Sequence, residues 1–161
     1  MAIPANVQPM WHAYLASVPC VDESRFYEAF SFGDSSAMAD ELGQLVLSGV
    51  KRATAGSIWS YEKAGKEIPK TGDLSVVTDS RGKPLCVIET IRVDIVPFDQ
   101  VTAEFAAIEG EGDASLTYWR DAHRAYFSRE CASFQQVFSE SLVLACEQFR
   151  VVFPIPVQNA G

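Results

Sequence analysis

The segment G-V-K-R-A-T, from Gly49 to Thr54, carries a lysine and a threonine at a spacing that could support catalysis. In a helical turn, Lys51 and Thr54 would have their side chains on one face. A threonine hydroxyl attacks well once a base takes its proton, and a desolvated lysine with a lowered pKa can be that base. With a carboxylate to hold the amine, this pair would suffice to hydrolyse an amide. A lysine near a helix C-terminus also interacts with the helix dipole, so spacing alone favours a structural role.

Two glutamates interrupt apolar strand faces and are candidates for the carboxylate partner. In the predicted strand from Leu85 to Val96, Glu89 occupies an alternating position that is otherwise apolar. Glu147 repeats this pattern in the predicted C-terminal strand. A buried carboxylate is costly unless it is paired or hydrogen-bonded. Each glutamate is therefore either an ion-pair partner in the core or a carboxylate at the floor of a cavity, with a perturbed pKa.

The segment E-G-E-G-D, residues 109 to 113, places three carboxylates beside glycines that let the backbone turn tightly. It lacks the ligand spacing of a calcium loop, so the signal for a bound cation is weak. Alternatively, one glutamate reaches into a cleft as a general base or orienting group, or the loop is acidic and Asp113 caps the next helix. With two histidines, His12 and His123, a histidine-rich metal centre is excluded. His123 shares a helix face with apolar residues and is first interpreted as a core histidine.

Several further side chains could contact a ligand. Aromatic rings can stack a nucleobase, and a serine can offer a hydroxyl, although most aromatic residues serve the core. The candidates are Arg52, Trp59, Tyr61, Trp119, Tyr126, Phe127 and Ser128.

The predicted elements place these residues in an α+β protein. Helical spacing covers residues 8 to 30, with a break near Pro19, and Asp34 or Ser35 can cap a second helix that stops at Gly49. Strands are predicted over residues 74 to 79, 85 to 96 and 142 to 153, with a hairpin turn between the first two. Helices are predicted over residues 101 to 108 and after Asp113. The strands form a small, mostly antiparallel sheet that could curl into a barrel with flanking helices.

Composition limits the class of protein. The chain has 161 residues, 48% of them hydrophobic, which suits one folded domain, and no apolar run is long enough for a membrane span. The N-terminus does not resemble a secretory signal. The four cysteines, widely spaced, fit reduced thiols in a cytoplasmic protein.

The charge distribution bears on partners. The net charge of −8 argues against non-specific binding to duplex DNA. Residues 51 to 83 carry +3, however, and the rest of the chain −11. This local cationic segment suits a small polar ligand or a short RNA, or is only a solvated surface.

An ordered set of motifs resembles the ASCH domain family, which belongs to the PUA-like superfamily of small β-barrels. The set comprises F-G-D-S at 32 to 35, G-V-K-R-A-T at 49 to 54, Trp59, T-G-D at 71 to 73, C-V-I-E-T at 86 to 90 and E-G-E-G-D-x-S-L-x-x-W-R-x-x-H at 109 to 123. The resemblance covers roughly residues 30 to 153, and the predicted ASCH domain spans residues 31 to 153. We expect residues 1 to 30 to form a helical extension packed on this domain and residues 154 to 161 to form a flexible tail.

The resemblance implies a cleft that accepts a nucleoside or RNA. Compact bacterial members remove the acetyl group from N4-acetylcytidine, and their catalytic lysine and threonine match Lys51 and Thr54. Glu109 is the best positional match for their glutamate, although Glu111 is also available and Glu89 is a second candidate. A longer member is described as a ribonuclease that uses the same lysine and a serine, for which Ser128 is the candidate.

Three functional hypotheses follow. The first is an amidohydrolase that needs no metal or cofactor, in which Thr54 attacks the acyl group, Lys51 transfers protons and Glu109 or Glu89 orients Lys51. Arg52, Trp59, Tyr61, Tyr126 and Ser128 are the predicted substrate-binding residues. The second is a ribonuclease in the same cleft, with Lys51 stabilising the charge on the phosphate, and a divalent metal is possible only in this case. The third is a non-catalytic RNA-binding module. A membrane or duplex DNA partner is not expected, and a homodimer is possible.

Overall fold

The computed structural model describes residues 2–155, which form five strands and five α-helices. The strands are β1 (Phe26–Phe30), β2 (Ala53–Ser57), β3 (Leu74–Thr78), β4 (Pro84–Pro97) and β5 (Val143–Phe153). The helices are α1 (Gln8–Ser17), α2 (Ser36–Leu47), α3 (Ile58–Ala64), α4 (Ala103–Glu109) and α5 (Leu116–Ser133).

One mixed sheet organises the chain, with strand order β1-β3-β4-β5-β2. β1 runs parallel to β3, and the other three pairings are antiparallel. The α+β class is confirmed, but the sheet is not closed into the predicted barrel. Its edge strands β1 and β2 form no ladder with each other in residues 2–155. Side chains of α3 and the following loop stand between these edges instead, among them Tyr61, Lys66 and Pro69.

The N-terminal segment differs in part from the helical prediction. Residues 8 to 17 form α1 as expected, and Trp11 and Tyr14 on it are buried. Residues 26 to 30 form β1, so the helix predicted there is wrong. Their aromatic spacing fits a helix, but pairing with β3 satisfies the backbone and overrides that local signal. The division predicted at residue 30 stays a prediction, and most of the predicted flexible tail lies outside the described residues.

The helix that precedes the lysine–threonine segment begins and ends where the sequence predicts. Ser35 is its N-cap and accepts a hydrogen bond from the Met38 amide at 3.2 Å. At the other end Gly49 has a φ of +80°, a conformation that favours glycine. The amides of Val50 and Lys51 both bond to the Leu45 carbonyl, at 3.0 Å each, which ends the helix at the site.

The remaining elements agree with the prediction except in detail. β3, β4, β5 and α4 lie where expected, and residues 80 to 83 form the turn of the β3–β4 hairpin. α3 has no counterpart in the prediction. Ser115, not Asp113, is the N-cap of α5, and Asp113 accepts a hydrogen bond from the Ser115 amide at 2.9 Å.

α5 lies against the aromatic core, with Trp119 and Phe127 packed around Phe98. Among the helices that the structure describes, none combines the length and the apolar character that crossing a membrane requires.

Candidate active site

Lys51 is a buried lysine whose ammonium group is fully hydrogen-bonded. It is 1% exposed, and its Nζ donates to the Ala53 carbonyl at 2.7 Å. It also donates to Glu109 Oε1 at 3.2 Å and to Glu111 Oε1 at 3.1 Å. An ammonium has three protons, so these three acceptors satisfy it. The two carboxylates offset the cost of burying the charge. A buried, paired lysine beside a cavity makes this cluster the candidate active site.

Backbone contacts hold the two parts of the cluster together. The Arg52 amide donates to the Ile108 carbonyl at 2.9 Å, and its carbonyl accepts from the Phe149 amide at 3.0 Å. Lys51 lies in an extended loop and Thr54 in β2, so they do not share the helical turn that their spacing allows.

Gly110 lets α4 approach the loop that holds Lys51. It has a φ of +70°, and a Cβ at this position would lie 2.2 Å from the Val50 carbonyl oxygen. No other residue fits this approach without a shift of the backbone. The contact places Glu109, the last residue of α4, and Glu111 beside the Lys51 amine.

His123 completes the cluster from α5. Its Nε2 lies 3.0 Å from Glu109 Oε1, and its Nδ1 lies 2.9 Å from the Trp119 carbonyl oxygen. Since a carbonyl only accepts, Nδ1 must donate, and a carboxylate at Nε2 favours a second proton. Burial lowers the pKa of His123, but the charges of Glu109 and Glu111 outweigh it and the net shift is upward.

Glu109 is the acceptor at the centre of the cluster. It is 1% exposed, and Trp119 Nε1 donates to its second oxygen. Burial raises the pKa of Glu109, but the charges of Lys51 and His123 and the bonds from His123 and Trp119 hold it below its usual range. Lys51 and His123 thus face two carboxylates, and the opposite charges offset the cost of burying this cluster.

A cavity of about 80 Å³, hereafter the first cavity, opens onto this cluster. Thr54 lies in its wall beside the Lys51–Glu109–Glu111–His123 cluster. In the part of the chain that the structure describes, the Thr54 hydroxyl has no hydrogen-bond partner and is free to bond a ligand. The other lining residues are Phe32, Gly33, Met38, Leu42, Ala55, Ala122 and Tyr126.

Glu89 lies outside the first cavity. It pairs with Arg25 and with Arg150, whose Nη2 is 2.7 Å from Glu89 Oε1. Burial raises the pKa of Glu89, but these arginines outweigh it and the net shift is downward. Irregular register in β4, between Val87 and Ile88 and again after Thr90, breaks the alternation that had placed Glu89 on an apolar face. Its predicted orienting role is therefore corrected to the ion pair that the sequence left as the alternative.

Four predicted substrate-binding residues also lie outside the first cavity, and one of them, Tyr61, lines the second cavity described below. Arg52 is exposed and lines a separate groove. Trp59 packs edge-on against Phe134, with ring centroids 5.0 Å apart. Ser128 is exposed on α5 and lines none of the cavities described. Tyr126 does line the first cavity.

A second cavity, of about 280 Å³, lies on the other side of Thr54. It shares Thr54, Ala55 and Tyr126 with the first cavity. Tyr61 and Glu147 line it, so the alternative that placed Glu147 at the floor of a cavity agrees with its position.

A divalent cation would find ligands in the first cavity. Glu109, Glu111 and His123 each offer one ligand atom, all within 4.8 Å of one another. Lys51 bonds to both carboxylates, so a cation would compete with this ammonium for the same oxygens.

Comparison with known proteins identifies the family. The sequence matches the family model of the ASCH domain over residues 28–153, more than half of the chain. The chain belongs to the ASCH domain family. A search of curated proteins finds no match.

Two solved structures resemble this ASCH domain closely. The ASCH domain from Lactobacillus crispatus is 36% identical with a TM-score of 0.86, over 94% of this chain and 96% of that chain. Protein EF3133 from Enterococcus faecalis, with the family model DUF984, is 35% identical with a TM-score of 0.80, over 91% of this chain and 88% of that chain.

The role of His123 in this ASCH domain was not predicted from the sequence, and Glu111 was only an alternative to Glu109. Both belong to the cluster around Lys51. The sequence contains one signal for His123, because helical spacing places it one turn after Trp119 on the same face of α5. In the structure both side chains bond to Glu109. The two rings stack with centroids 4.1 Å apart.

Proposed function

We propose that this ASCH domain is an amidohydrolase that removes the acyl group from N4-acetylcytidine or a related N4-acylated cytosine nucleoside. One observation carries the proposal: a buried lysine bonded to two carboxylates lies in the same small cavity as a threonine hydroxyl that has no hydrogen-bond partner in residues 2–155. Family resemblance supplies the substrate class. The cavity supplies a nucleophile, a proton carrier and groups that orient the carrier.

The bonds of Lys51 suggest how it can accept a proton although its ammonium is already fully bonded. Thr54 Oγ1 attacks the acyl carbon and gives its proton to Lys51, which releases one of its own to Glu111 through their hydrogen bond. Glu109 is the poorer acceptor because Lys51, His123 and Trp119 all stabilise its anion. Glu109 therefore orients the amine, and Glu111 exchanges the proton.

The second half of the reaction reverses these transfers. The bond from the acyl carbon to N4 breaks, N4 leaves with a proton from Lys51, and Lys51 recovers one from Glu111. Water then hydrolyses the acyl ester on Thr54 and releases the carboxylic acid. The charge of the cluster is unchanged over the cycle, so no charge is stranded in the buried cavity.

A ribonuclease in the same cavity is the second candidate. It is favoured by Glu109, Glu111 and His123, which offer three ligand atoms for a divalent cation. The proposed amidohydrolase needs no metal or cofactor.

Its proposed location is the cytoplasm, and its proposed partner is a nucleoside or a short RNA, not a membrane or duplex DNA. A homodimer stays a prediction.

One assay separates the candidates. The purified protein is incubated with N4-acetylcytidine and with a short RNA, each with and without EDTA. We expect deacetylation that persists in EDTA and that falls on the order of 10³-fold in Thr54→Ala. Thr117→Ala, at an exposed position on α5, is the matched control and keeps full activity. Cleavage of the RNA without deacetylation would favour the ribonuclease, and binding without either reaction would favour an RNA-binding module.

A further inference from the structure

The second cavity has a buried carboxyl group directly beside the proposed nucleophile. In the antiparallel pairing of β2 with β5, Thr54 lies opposite Glu147. Directly opposed residues project from the same face of a sheet, with Cβ atoms roughly 5 Å apart. Thr54 thus has the Lys51 cluster on one side and Glu147 on the other.

Glu147 has one carboxyl oxygen available to hydrogen-bond a ligand. It is 7% exposed, and its Oε1 accepts a bond from Thr90 Oγ1 at 3.1 Å. Across residues 2–155, Oε2 has no hydrogen-bond partner. Oε2 is accessible from the cavity, so a bound group can hydrogen-bond to it without breaking a bond within the protein.

The remaining walls combine aromatic surface with acidic groups. Tyr61 lies against Gly56, where a Cβ would meet the Tyr61 hydroxyl at 3.1 Å. Glu130 accepts a bond from Ser57 Oγ at 2.9 Å, and Lys66 is paired with Glu28. Such a cavity accepts a flat neutral ring better than a phosphate, which would meet carboxylates with no free cation among the lining residues.

The two cavities differ in size in the way that a nucleoside with an acyl group requires. The first, about 80 Å³, admits a small acyl group beside Lys51. The second, about 280 Å³, approaches the volume of a ligand pocket. A substrate with its scissile amide at Thr54 would extend into both.

We propose that the second cavity binds the cytosine ring of the substrate and that Glu147, as a neutral carboxylic acid, recognises its N3/N4 edge. The acid O–H at Oε2 donates to the ring nitrogen N3, and Oε1 accepts the N4–H. This pairing uses both oxygens and leaves the acyl group on N4 directed at Thr54. It rests on the proposed function, since it takes the scissile amide to lie at Thr54.

The charges around Glu147 support its neutral form. The pKa of Glu147 is raised to about 7, chiefly by burial. The bond from Thr90 and the charge of Lys51 act in the opposite direction, and the charges of Glu28 and Asp73 raise it further. Other titratable groups in the cavity are Tyr61, Lys66, Tyr126 and Glu130. A group with this pKa is largely protonated at pH 6 and largely ionised at pH 8.

Glu147→Gln is the sharpest test because the glutamine amide offers an N–H donor and an oxygen acceptor at every pH, as the neutral acid does. Cytidine, the product, is titrated into wild type, Glu147→Gln and Glu147→Met by calorimetry at pH 6 and pH 8. We expect wild type to bind about tenfold more weakly at pH 8, Glu147→Gln to bind equally at both, and Glu147→Met to bind about tenfold more weakly than wild type at pH 6. 3-Deazacytidine, which lacks the N3 acceptor, should bind to wild type at pH 6 no more tightly than to Glu147→Met.

Equal cytidine affinity in wild type and Glu147→Met at pH 6 would overturn the proposal, as would a pH dependence retained in Glu147→Gln. This result is separable from the proposed reaction, because cytidine carries no acyl group. If cytidine binding depends on Glu147 but N4-acetylcytidine is not hydrolysed, the subsite stands and the amidohydrolase does not. If hydrolysis occurs with a KM unchanged in Glu147→Met, the reaction stands and the subsite does not.

Discussion

The two cavities on either side of Thr54 shift the pKa of a buried glutamate in opposite directions. In the first, Lys51 and His123 face Glu109 and Glu111, and the pKa of Glu109 lies below its usual range. In the second, Glu147 has no cation within hydrogen-bond distance among the described residues, and its pKa rises to about 7. Two buried glutamates in one small domain thus differ in protonation because of their partners, and burial alone decides neither.

Because of this difference, the two cavities suit different roles. In the first cavity the cationic partners hold the pKa of Glu109 below its usual range, which suits proton transfer through a fixed set of bonds. The second can change its protonation near neutral pH, which suits recognition of a ring with both a donor and an acceptor. Variants that remove one partner at a time can break or sharpen the contrast.

The largest expected effect is that of Lys51→Met. It leaves Glu109 buried without its cation, and breaking a buried pair in this way costs about 3–5 kcal/mol. We expect the free energy of unfolding in urea to fall by this amount and deacetylation to be lost. Lys83→Met, at an exposed lysine, is the control and should change stability by less than about 0.5 kcal/mol. A Lys51→Met protein as stable as wild type would show that the cluster is not an interdependent unit.

Glu147→Gln should stabilise the protein rather than destabilise it, and the size of this effect should depend on pH. Between the unfolded pKa of 4.5 and the folded value of about 7, the folded state holds a proton that the unfolded state releases. Stability of wild type therefore falls as pH rises through this window, by up to about 3 kcal/mol. The variant lacks this loss, so its advantage over wild type should grow from pH 4 to pH 8. Parallel stability curves for the two proteins across this range would contradict the raised pKa.

His123→Gln should destabilise the protein by about 1–2 kcal/mol, because Glu109 loses a charged hydrogen-bond donor. The pKa of His123 is raised, so its contribution is fully present below the unfolded pKa of about 6.5 and is lost as pH rises through the folded value. We therefore expect a larger loss of stability at pH 6 than at pH 9. Thermal unfolding at the two pH values measures it, and an equal loss at both would mean that His123 is neutral in the folded state.

The smallest effect is expected for Glu89→Gln. Glu89 is paired with Arg25 and Arg150, both partly exposed, and such pairs contribute roughly 1 kcal/mol or less. Urea denaturation should detect little change, and deacetylation should be unaffected. A large loss of activity in this variant would return Glu89 to the catalytic set.

Glu89 and Glu147 also show how far the sequence predicts the site. Both interrupt apolar strand patterns in the same way, and both have the same two alternatives. Irregular register in β4 directs Glu89 to two arginines, whereas regular pairing across β2 and β5 keeps Glu147 beside Thr54. Bulges depend on the partner strand, so strand periodicity alone does not separate these outcomes.

Local signals predicted the fold where they act over a few residues. Ser35 and Gly49 set the ends of α2, and the β3–β4 hairpin follows from its turn. Phe26 to Phe30 had helical spacing, but pairing with β3, over 40 residues away, made them a strand. The open edge between β1 and β2 likewise depends on how α3 and its loop pack, which no local pattern reveals.

The backbone of Arg52 has a consequence for the motions of the site. Its amide bonds to the end of α4 and its carbonyl to β5, while Gly110 lies tightly against Val50. The loop that carries Lys51 therefore cannot lift from the sheet without also releasing the carboxylates. In amide hydrogen exchange, we expect the Arg52 and Phe149 amides to open in one cooperative unit, slowly and together.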